Sequence, residues 1–342
     1  SRVANREFLP VTSGAGGDSD ALYDTLRRAP WDWLIAAGAS IAVSFSGTNE
    51  ALRNTRFGAQ RCKDAILDAC RAVGVAVPRV DPKNPDLLIS ARLQDNTVDV
   101  ALDLVGDSLH RRGYRVAAGE APLKENLAAA LLLRAGWPEA GGGEALIDPM
   151  CGAATLLLEG AFMALDRAPS LARRRWGFGG WRGHEAAQWD AIVAEARERS
   201  ERAMTGELPE IRGYDADPRV VRRAQENIAA AGLERVVRVS VKSLGEIRRP
   251  THRPLPRGLV ICNPPYGERL GHRDALPQLY RRLGELLHDE FDGWQAAILA
   301  PDREMGRALG LRSHRQYAFL NGRIPVSLLL LDLTDNRLRS EE

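Results

Sequence analysis

The feature that most narrows the fold is a series of short apolar segments, each leading to one polar residue and followed by a helix-type stretch. Ala145-Leu146-Ile147 ends at Asp148, and Ile211 to Tyr214 ends at Asp215. Val236 to Val241 leads to Ser243, and Gly258 to Cys262 ends at Asn263. Lys124 to Ala135, Thr155 to Leu165, Pro218 to Ala231 and Leu276 to Leu287 read as helices, and Gln295 to Ala300 as a further strand. Strands alternating with helices predict an α/β fold with a mostly parallel, doubly wound sheet. Tyr317 to Leu320 and Ile324 to Leu331 flank Asn321-Gly322, a favoured hairpin turn pair, so an antiparallel hairpin is expected at the C-terminal edge. Ligands of such sheets bind beyond the carboxyl ends of the strands. Asp148, Asp215, Ser243 and Asn263 are therefore the positions to read for function.

Upstream of about residue 118 the pattern is strand-rich and irregular. Ile41 to Phe45 reads as a strand and Phe57 to Val73 as an amphipathic helix with Ala65, Ile66, Ala69 and Val73 on one side. Asp86 to Leu93 and Val98 to Val105 are β-type runs around the polar turn Gln94-Asp95-Asn96. A smaller α+β domain over residues 1–118 is expected ahead of an α/β domain over 119–342. A chain of 342 residues is longer than one core usually supports. The formal net charge of +2 supplies no global positive field, so any nucleic-acid binding must come from local patches. Lys stands only at 63, 83, 124 and 242, and Arg supplies the remaining basic residues. That bias suits bidentate phosphate recognition, and it suits GC-rich coding equally well.

No apolar run approaches the roughly 20 residues of a membrane helix, so no membrane partner is expected. Ser1 to Asn5 do not read as a signal peptide, and without an opening Met the chain is expected to be a fragment or a processed form. Cys62, Cys70, Cys151 and Cys262 show no CxxC spacing and no nearby histidine pair. Neither a disulfide framework nor a metal site is expected, and a reducing cytoplasm is. The histidines are scattered, and none pairs with a nucleophile motif.

Three loops carry the chemistry. In Asp148-Pro149-Met150-Cys151-Gly152-Ala153-Ala154-Thr155, an acid at a strand end is followed by small residues and then a helix, which lets backbone and helix N-terminus approach a ligand. No G-x-G-x-x-G and no phosphate-holding Lys accompany it, so a nicotinamide or nucleoside triphosphate fits poorly. In Gly213-Tyr214-Asp215-Ala216-Asp217-Pro218, Asp215 can accept two hydrogen bonds from a ribose diol, while Asp217 before Pro218 reads as a helix N-cap. In Asn263-Pro264-Pro265-Tyr266-Gly267, two prolines stiffen the turn. The Asn263 amide oxygen and Pro264 carbonyl can both accept from a planar amino group, and Tyr266 offers a face on which a base can stack. Cys151 and Cys262 read as small apolar fillers.

These residues carry a family resemblance. Asp148 to Thr155 resembles the cofactor loop of S-adenosylmethionine-dependent methyltransferases, and Asn263 to Tyr266 resembles the NPPY motif of those that methylate amino nitrogens. Ala121 to Ala129, Arg175-Trp176-Gly177-Phe178 with Gly180-Trp181, and Asn263 through Leu270 narrow it further. Phe45-Ser46-Gly47, Arg53-Asn54, Lys63 to Ile66, Ala101 to Leu104 with Gly106-Asp107, and Arg112 to Arg115 resemble a THUMP region. Nearly the whole chain is similar to the bacterial 23S rRNA (guanine-N2)-methyltransferase (RlmL) family.

The resemblance implies a THUMP RNA-binding domain, a Rossmann-like methyltransferase domain, S-adenosylmethionine as cofactor and 23S rRNA or a large-subunit precursor as partner. It implies catalytic roles for Asn263, Pro264, Pro265 and Tyr266. It implies cofactor contacts from Lys124, Asp148, Met150, Cys151, Gly152, Ala153, Thr155, Asp215, Ala216, Ser243, Leu244 and Asn263. Family members begin with a ferredoxin-like stretch that this chain is expected to enter partway through, and many carry a second methyltransferase domain with no counterpart here. Two departures are expected to weaken cofactor binding. Ala154 stands where the family has Gly, which costs on the order of 1 kcal/mol if φ there is positive. Ser243 stands where it has Asp, so a bond to the adenine amine lacks charge assistance. Lys63, Arg111, Arg112 and Arg115 are candidate RNA contacts. Trp176, Phe178, Trp181 and Trp189 read as packing residues of an insertion.

Two other readings fit parts of this pattern. A DNA-adenine or protein-glutamine methyltransferase would use the same NPPY loop, against the THUMP-like stretches. A non-catalytic RNA-binding or ribosome-assembly module would have lost its cofactor loop through Ala154 and Ser243.

Overall fold

The structure is a computed structural model and describes residues 1–116, 123–138, 144–265 and 275–334. Ala121, Pro122 and Tyr266 to Leu270, singled out above, lie outside the described residues, as does the expected boundary at 118. The chain forms two compact units. The first is Ala4–Leu109 with Arg173–Ile192, and the second is Ser1–Val3, His110–Ala172 and Val193–Glu342.

The first unit is built on a five-stranded mixed sheet. Its strands are β1 (Phe8–Ala15), β2 (Ser40–Ser46), β3 (Arg79–Val80), β4 (Leu87–Gln94) and β5 (Thr97–Asp103), in the order β1-β5-β4-β2-β3. β4 alternates buried and open positions, so Leu87, Ile89, Ala91 and Leu93 face the core. Helices α1 (Ser19–Arg27) and α3 (Thr55–Ala72) pack on that face with Leu22, Leu26, Cys62 and Ile66, and the short α2 (Trp31–Leu34) lies between them in sequence. Asp18 and Asn54 start α1 and α3 by accepting backbone N–H bonds of the first turns. The unit is not continuous in sequence. Arg173–Ile192, placed above with the second domain, belongs to it. The Gly180 N–H donates to the Asp86 carbonyl at 2.8 Å, and Ile35 pairs with Trp181. Gly177 lies so close that an added Cβ would stand 2.3 Å from the Asp103 carbonyl oxygen.

The second unit has a seven-stranded sheet. Its strands are β6 (Ala145–Asp148), β7 (Glu210–Asp215), β8 (Val237–Val241), β9 (Leu259–Cys262), β10 (Gln295–Ala300), β11 (Arg315–Asn321) and β12 (Ile324–Asp332). The order is β11-β12-β10-β9-β6-β7-β8, parallel from β10 to β8, with β11 and β12 as the expected antiparallel hairpin. β6 and β9 are buried along their whole length, which explains their unbroken apolar sequence. Helices α4 (Glu125–Arg134), α5 (Thr155–Ala164), α7 (Pro218–Ala231) and α8 (Leu276–Glu290) cover the sheet. α6 (Ala186–Thr205) and the short α9 (Arg303–Ala308) complete the described helices. None of these is long and apolar enough to cross a membrane.

Two expected RNA contacts are corrected by this packing. The Arg112 side chain is fully buried and donates through Nε to a Glu159 carboxylate oxygen at 3.3 Å, with Glu159 equally buried. A guanidinium in that position neutralises a carboxylate inside the unit and does not reach a phosphate. Arg115 is mostly buried and donates to Glu125 at 2.9 Å, to the Leu123 carbonyl at 3.0 Å and to the Thr155 hydroxyl at 3.1 Å. Arg111 is exposed, and Lys63 pairs with Asp64 at 2.8 Å.

Candidate active site

β6 and β7 end side by side because they pair in parallel, with Asp148 opposite Gly213. Their terminal carboxylates face different surroundings. Asp148 is 2% exposed, accepts the Met150 N–H at 3.1 Å and a bond from the Cys262 thiol. Burial outweighs those bonds and pushes its carboxyl up to about 8, with the Asp215 charge adding to the effect. Asp215 is half-open, accepts the Gly152 N–H at 3.2 Å and the Asp217 N–H at 3.1 Å, and is also raised by burial. Burial thus favours the protonated form of Asp148 more strongly than that of the half-open Asp215. Cys151 and Cys262 are buried, and burial pushes both thiols up. Neither is activated as a nucleophile.

The loop from Asp148 to Thr155 is held at both ends. The Cys151 N–H donates to the Tyr214 carbonyl at 2.8 Å. Asn227, from the buried face of α7, donates to the Ala153 carbonyl at 3.2 Å. At the far end Ala154 adopts φ 64°, ψ 22°, the left-handed conformation anticipated for it, and starts α5 with no side-chain cap. The first-turn N–H groups of α5 are thus left without a side-chain acceptor, an arrangement that favours negative charge nearby. Gly152 also has positive φ, and a Cβ there would meet nothing within 4 Å, so the loop leaves open space above its backbone.

That space belongs to a cleft of about 1440 Å³. Met150, Cys151, Gly152, Ala153 and Thr155 line it from below, Asp148, Asp215 and Ala216 from the strand ends, Ser243 and Leu244 from the loop after β8, and Asn263 and Pro265 from the loop after β9. Two expected residues do not line it. Lys124 is exposed at the N-cap of α4, where Leu123 takes the lining position, and Pro264 is buried. Tyr266 lies outside the described residues. The Asn263 side-chain oxygen is out of solvent and has no hydrogen-bond partner among the described residues. Such an acceptor costs about 1–3 kcal/mol until a donor meets it.

Ser243 differs from expectation in a useful way. Its hydroxyl donates to Glu246 at 2.6 Å, and its N–H donates to the same carboxylate oxygen at 2.8 Å. A hydroxyl polarised by a carboxylate is a stronger acceptor, so charge assistance reaches this position through Glu246. The sequence reading also missed Arg223, Lys242, Arg248, Gln278 and Arg282, which line the cleft from α7, the loop after β8 and α8. The basic ones gave no signal because basic residues are spread along the whole chain. Asn227 was findable, since it is a polar residue on the apolar stripe Val221, Ala224, Ile228, Ala231 of α7.

The cleft suits an elongated ligand carrying a diol, a planar base and a charged tail. Comparison with known proteins agrees. Residues 112–329 match the family described as RMKL-like, methyltransferase domain, and residues 17–103 match the THUMP domain. The chain is 48% identical over 335 residues to the Ribosomal RNA large subunit methyltransferase K/L of Cellvibrio japonicus (strain Ueda107), covering 97% of this chain and 45% of that protein. It is 46% identical over 342 residues to the protein of the same name from Marinobacter nauticus, covering 99% and 47%. The chain thus spans about half the length of the curated relatives it matches. Among solved structures, the SAH complex of SMU.472 superposes with a TM-score of 0.84 at 27% identity, covering 100% of this chain and 85% of that one.

Proposed function

Because this chain belongs to the family of RMKL-like methyltransferase domains and has a THUMP domain match ahead of that one, we propose that it methylates the exocyclic N2 of a guanosine in 23S rRNA, in the cytoplasm. The observation that carries the reading is the Asn263 oxygen, a buried acceptor on the wall of the cleft without a partner among the described residues. S-adenosylmethionine, when bound, supplies an electrophilic methyl group on a sulfonium. The open space over Gly152 and the half-open Asp215 carboxylate fit that group.

The chain's own residues divide the work. The Met150-to-Thr155 loop would carry the methionine part against the uncapped start of α5. Asp215 would accept from the ribose hydroxyls, and Leu244 would cover the adenine while Ser243, polarised by Glu246, accepts from its amine. Asn263 would accept from a guanine N2–H, fixing the amino nitrogen toward the donor and keeping its lone pair free for attack. The chemistry needs alignment more than acid–base help, and alignment alone can supply several kcal/mol of the barrier. The target base must leave its stack to enter, which suits an unpaired segment of RNA. Lys63 and Arg111 remain as phosphate contacts.

The test is Asn263→Ala in a labelled-methyl transfer assay on 23S rRNA. Loss of a positioned contact made at the reacting atom is expected to slow transfer by about 100-fold or more, with S-adenosylhomocysteine affinity changed far less. Transfer within about threefold of the native rate would remove Asn263 from the mechanism.

A further inference from the structure

Thr155, the first residue of α5, lines the cleft and is 6% exposed. Its hydroxyl oxygen accepts from Nη2 of Arg115 at 3.1 Å. A hydroxyl has a hydrogen to give as well as lone pairs to offer. With the guanidinium on the oxygen, that hydrogen turns away from Arg115, and no acceptor meets it among the described residues. The usual acceptor for a helical threonine is the carbonyl four residues back. Here that carbonyl belongs to Cys151, and it takes the Ala154 N–H at 2.8 Å instead.

Arg115 is itself fixed. Its Nε donates to Glu125 at 2.9 Å, and Nη2 also donates to the Leu123 carbonyl at 3.0 Å. Glu125 is buried at the first position of α4, and Leu123 lines the cleft. The guanidinium thus ties the approach to α4 to the start of α5, and Glu125 balances its charge. The remaining nitrogen, Nη1, is out of solvent and has no partner among the described residues. The unmet groups at this corner are therefore all donors: Nη1, the Thr155 hydroxyl, and the first-turn N–H groups of α5, which have no side-chain cap. An anion with more than one acceptor oxygen satisfies such a set, and a neutral group does so only in part.

We propose that the Thr155 hydroxyl donates to the α-carboxylate of the methionine part of S-adenosylmethionine, with Arg115 as the positioning residue that aims it. The proposal rests on reading the cleft as the S-adenosylmethionine site, and it assigns the end of the ligand that the ribose and adenine contacts leave free. Arg115 does not act as a free cation, because Glu125 already balances it. It decides which way the Thr155 O–H points, and a guanidinium bonded to the oxygen makes that O–H a stronger donor. Arg115 and Glu125 thereby serve the cleft without lining it.

The test is titration calorimetry on the full chain with S-adenosylmethionine and with its decarboxylated analogue, which keeps the sulfonium, the amine and the adenosine and lacks only the carboxylate. The native protein is expected to bind S-adenosylmethionine about tenfold or more tighter than the analogue. Thr155→Val keeps the shape and loses the hydroxyl. It is expected to cut that preference to about threefold or less while affinity for the analogue holds, and Thr155→Ser is expected to restore it. Arg115→Met combined with Glu125→Gln removes the ion pair together, so no buried charge is left alone, and is expected to lose the preference as well. Thermal melting shows which variants keep the fold, and the two Thr155 variants decide the matter if the paired one does not. Equal affinity of the native protein for both ligands overturns the proposal. So does a Thr155→Val protein that keeps the preference or loses both ligands equally. A folded paired variant with the native preference removes Arg115 from its role. A native protein that binds neither ligand sinks the cofactor reading and the proposal together, whereas no transfer to 23S rRNA with the preference intact sinks the substrate assignment alone.

Discussion

Asp148 and Arg112 show how burial decides what a charged residue does. Asp148 ionises near 3.8 in an unfolded chain but holds its proton to about 8 in the fold. Below the lower value both states are protonated and the fold keeps the full contribution. As pH rises from about 4 to about 8 the unfolded chain gives up a proton that the folded one retains, so stability falls across that window. Asp148→Asn removes the titration. Its melting temperature is expected to fall less between pH 5 and pH 8 than that of the native protein, and equal slopes would mean that the group ionises without penalty. Asp148 itself was legible in the sequence, because an acid closing an apolar strand has few other uses. Arg112 was not. A guanidinium can reach a phosphate or neutralise a buried carboxylate with the same atoms, and only the fold reveals Glu159 beside it. Arg115 met the same fate through Glu125 and Thr155.

Elements with an apolar run or stripe that closes on a polar residue or opens on a cap were readable, and several others were not. β6, β7 and β9, with helices α5, α7 and α8, announce themselves by period and by their polar ends, and the loops that carry the cleft follow from them. α6 went unread because almost all of it is open to solvent and its charges run around the helix. β1, α1 and α9 went unread as well, although Asp18 and Asp302 are good N-caps. At the start of α5 the anticipated strain is present, because Ala154 sits in the left-handed region with no exposed surface. Ala154→Gly relieves that backbone cost and loses one buried methyl, so stability is expected to stay within about 1 kcal/mol. Ala154→Val puts a branched side chain into both a forbidden conformation and a filled space, at about 2–3 kcal/mol. Calorimetric melting of the two variants checks the contrast. If Ala154→Val melts with the native protein, α5 does not begin as described.

The molecule as a whole is divided differently from its sequence. The first unit needs Arg173–Ile192 to cover the Asp86 and Asp103 carbonyls and to seat Trp181 against Ile35. Residues 4–109 alone are expected to lose cooperative melting, and a Gly/Ser-rich connector to residues 173–192 is expected to restore it. Equal cooperativity without the added segment would make that docking peripheral.

The discontinuity also sets an order of events during translation. Residues 4–109 emerge from the ribosome before Arg173–Ile192, the segment that covers the Asp86 and Asp103 carbonyls. Synthesis at about 5–20 residues per second leaves them waiting for several seconds while the start of the next unit is made. The first unit can therefore close only after part of the second has been made, and the second waits longer still, for β12.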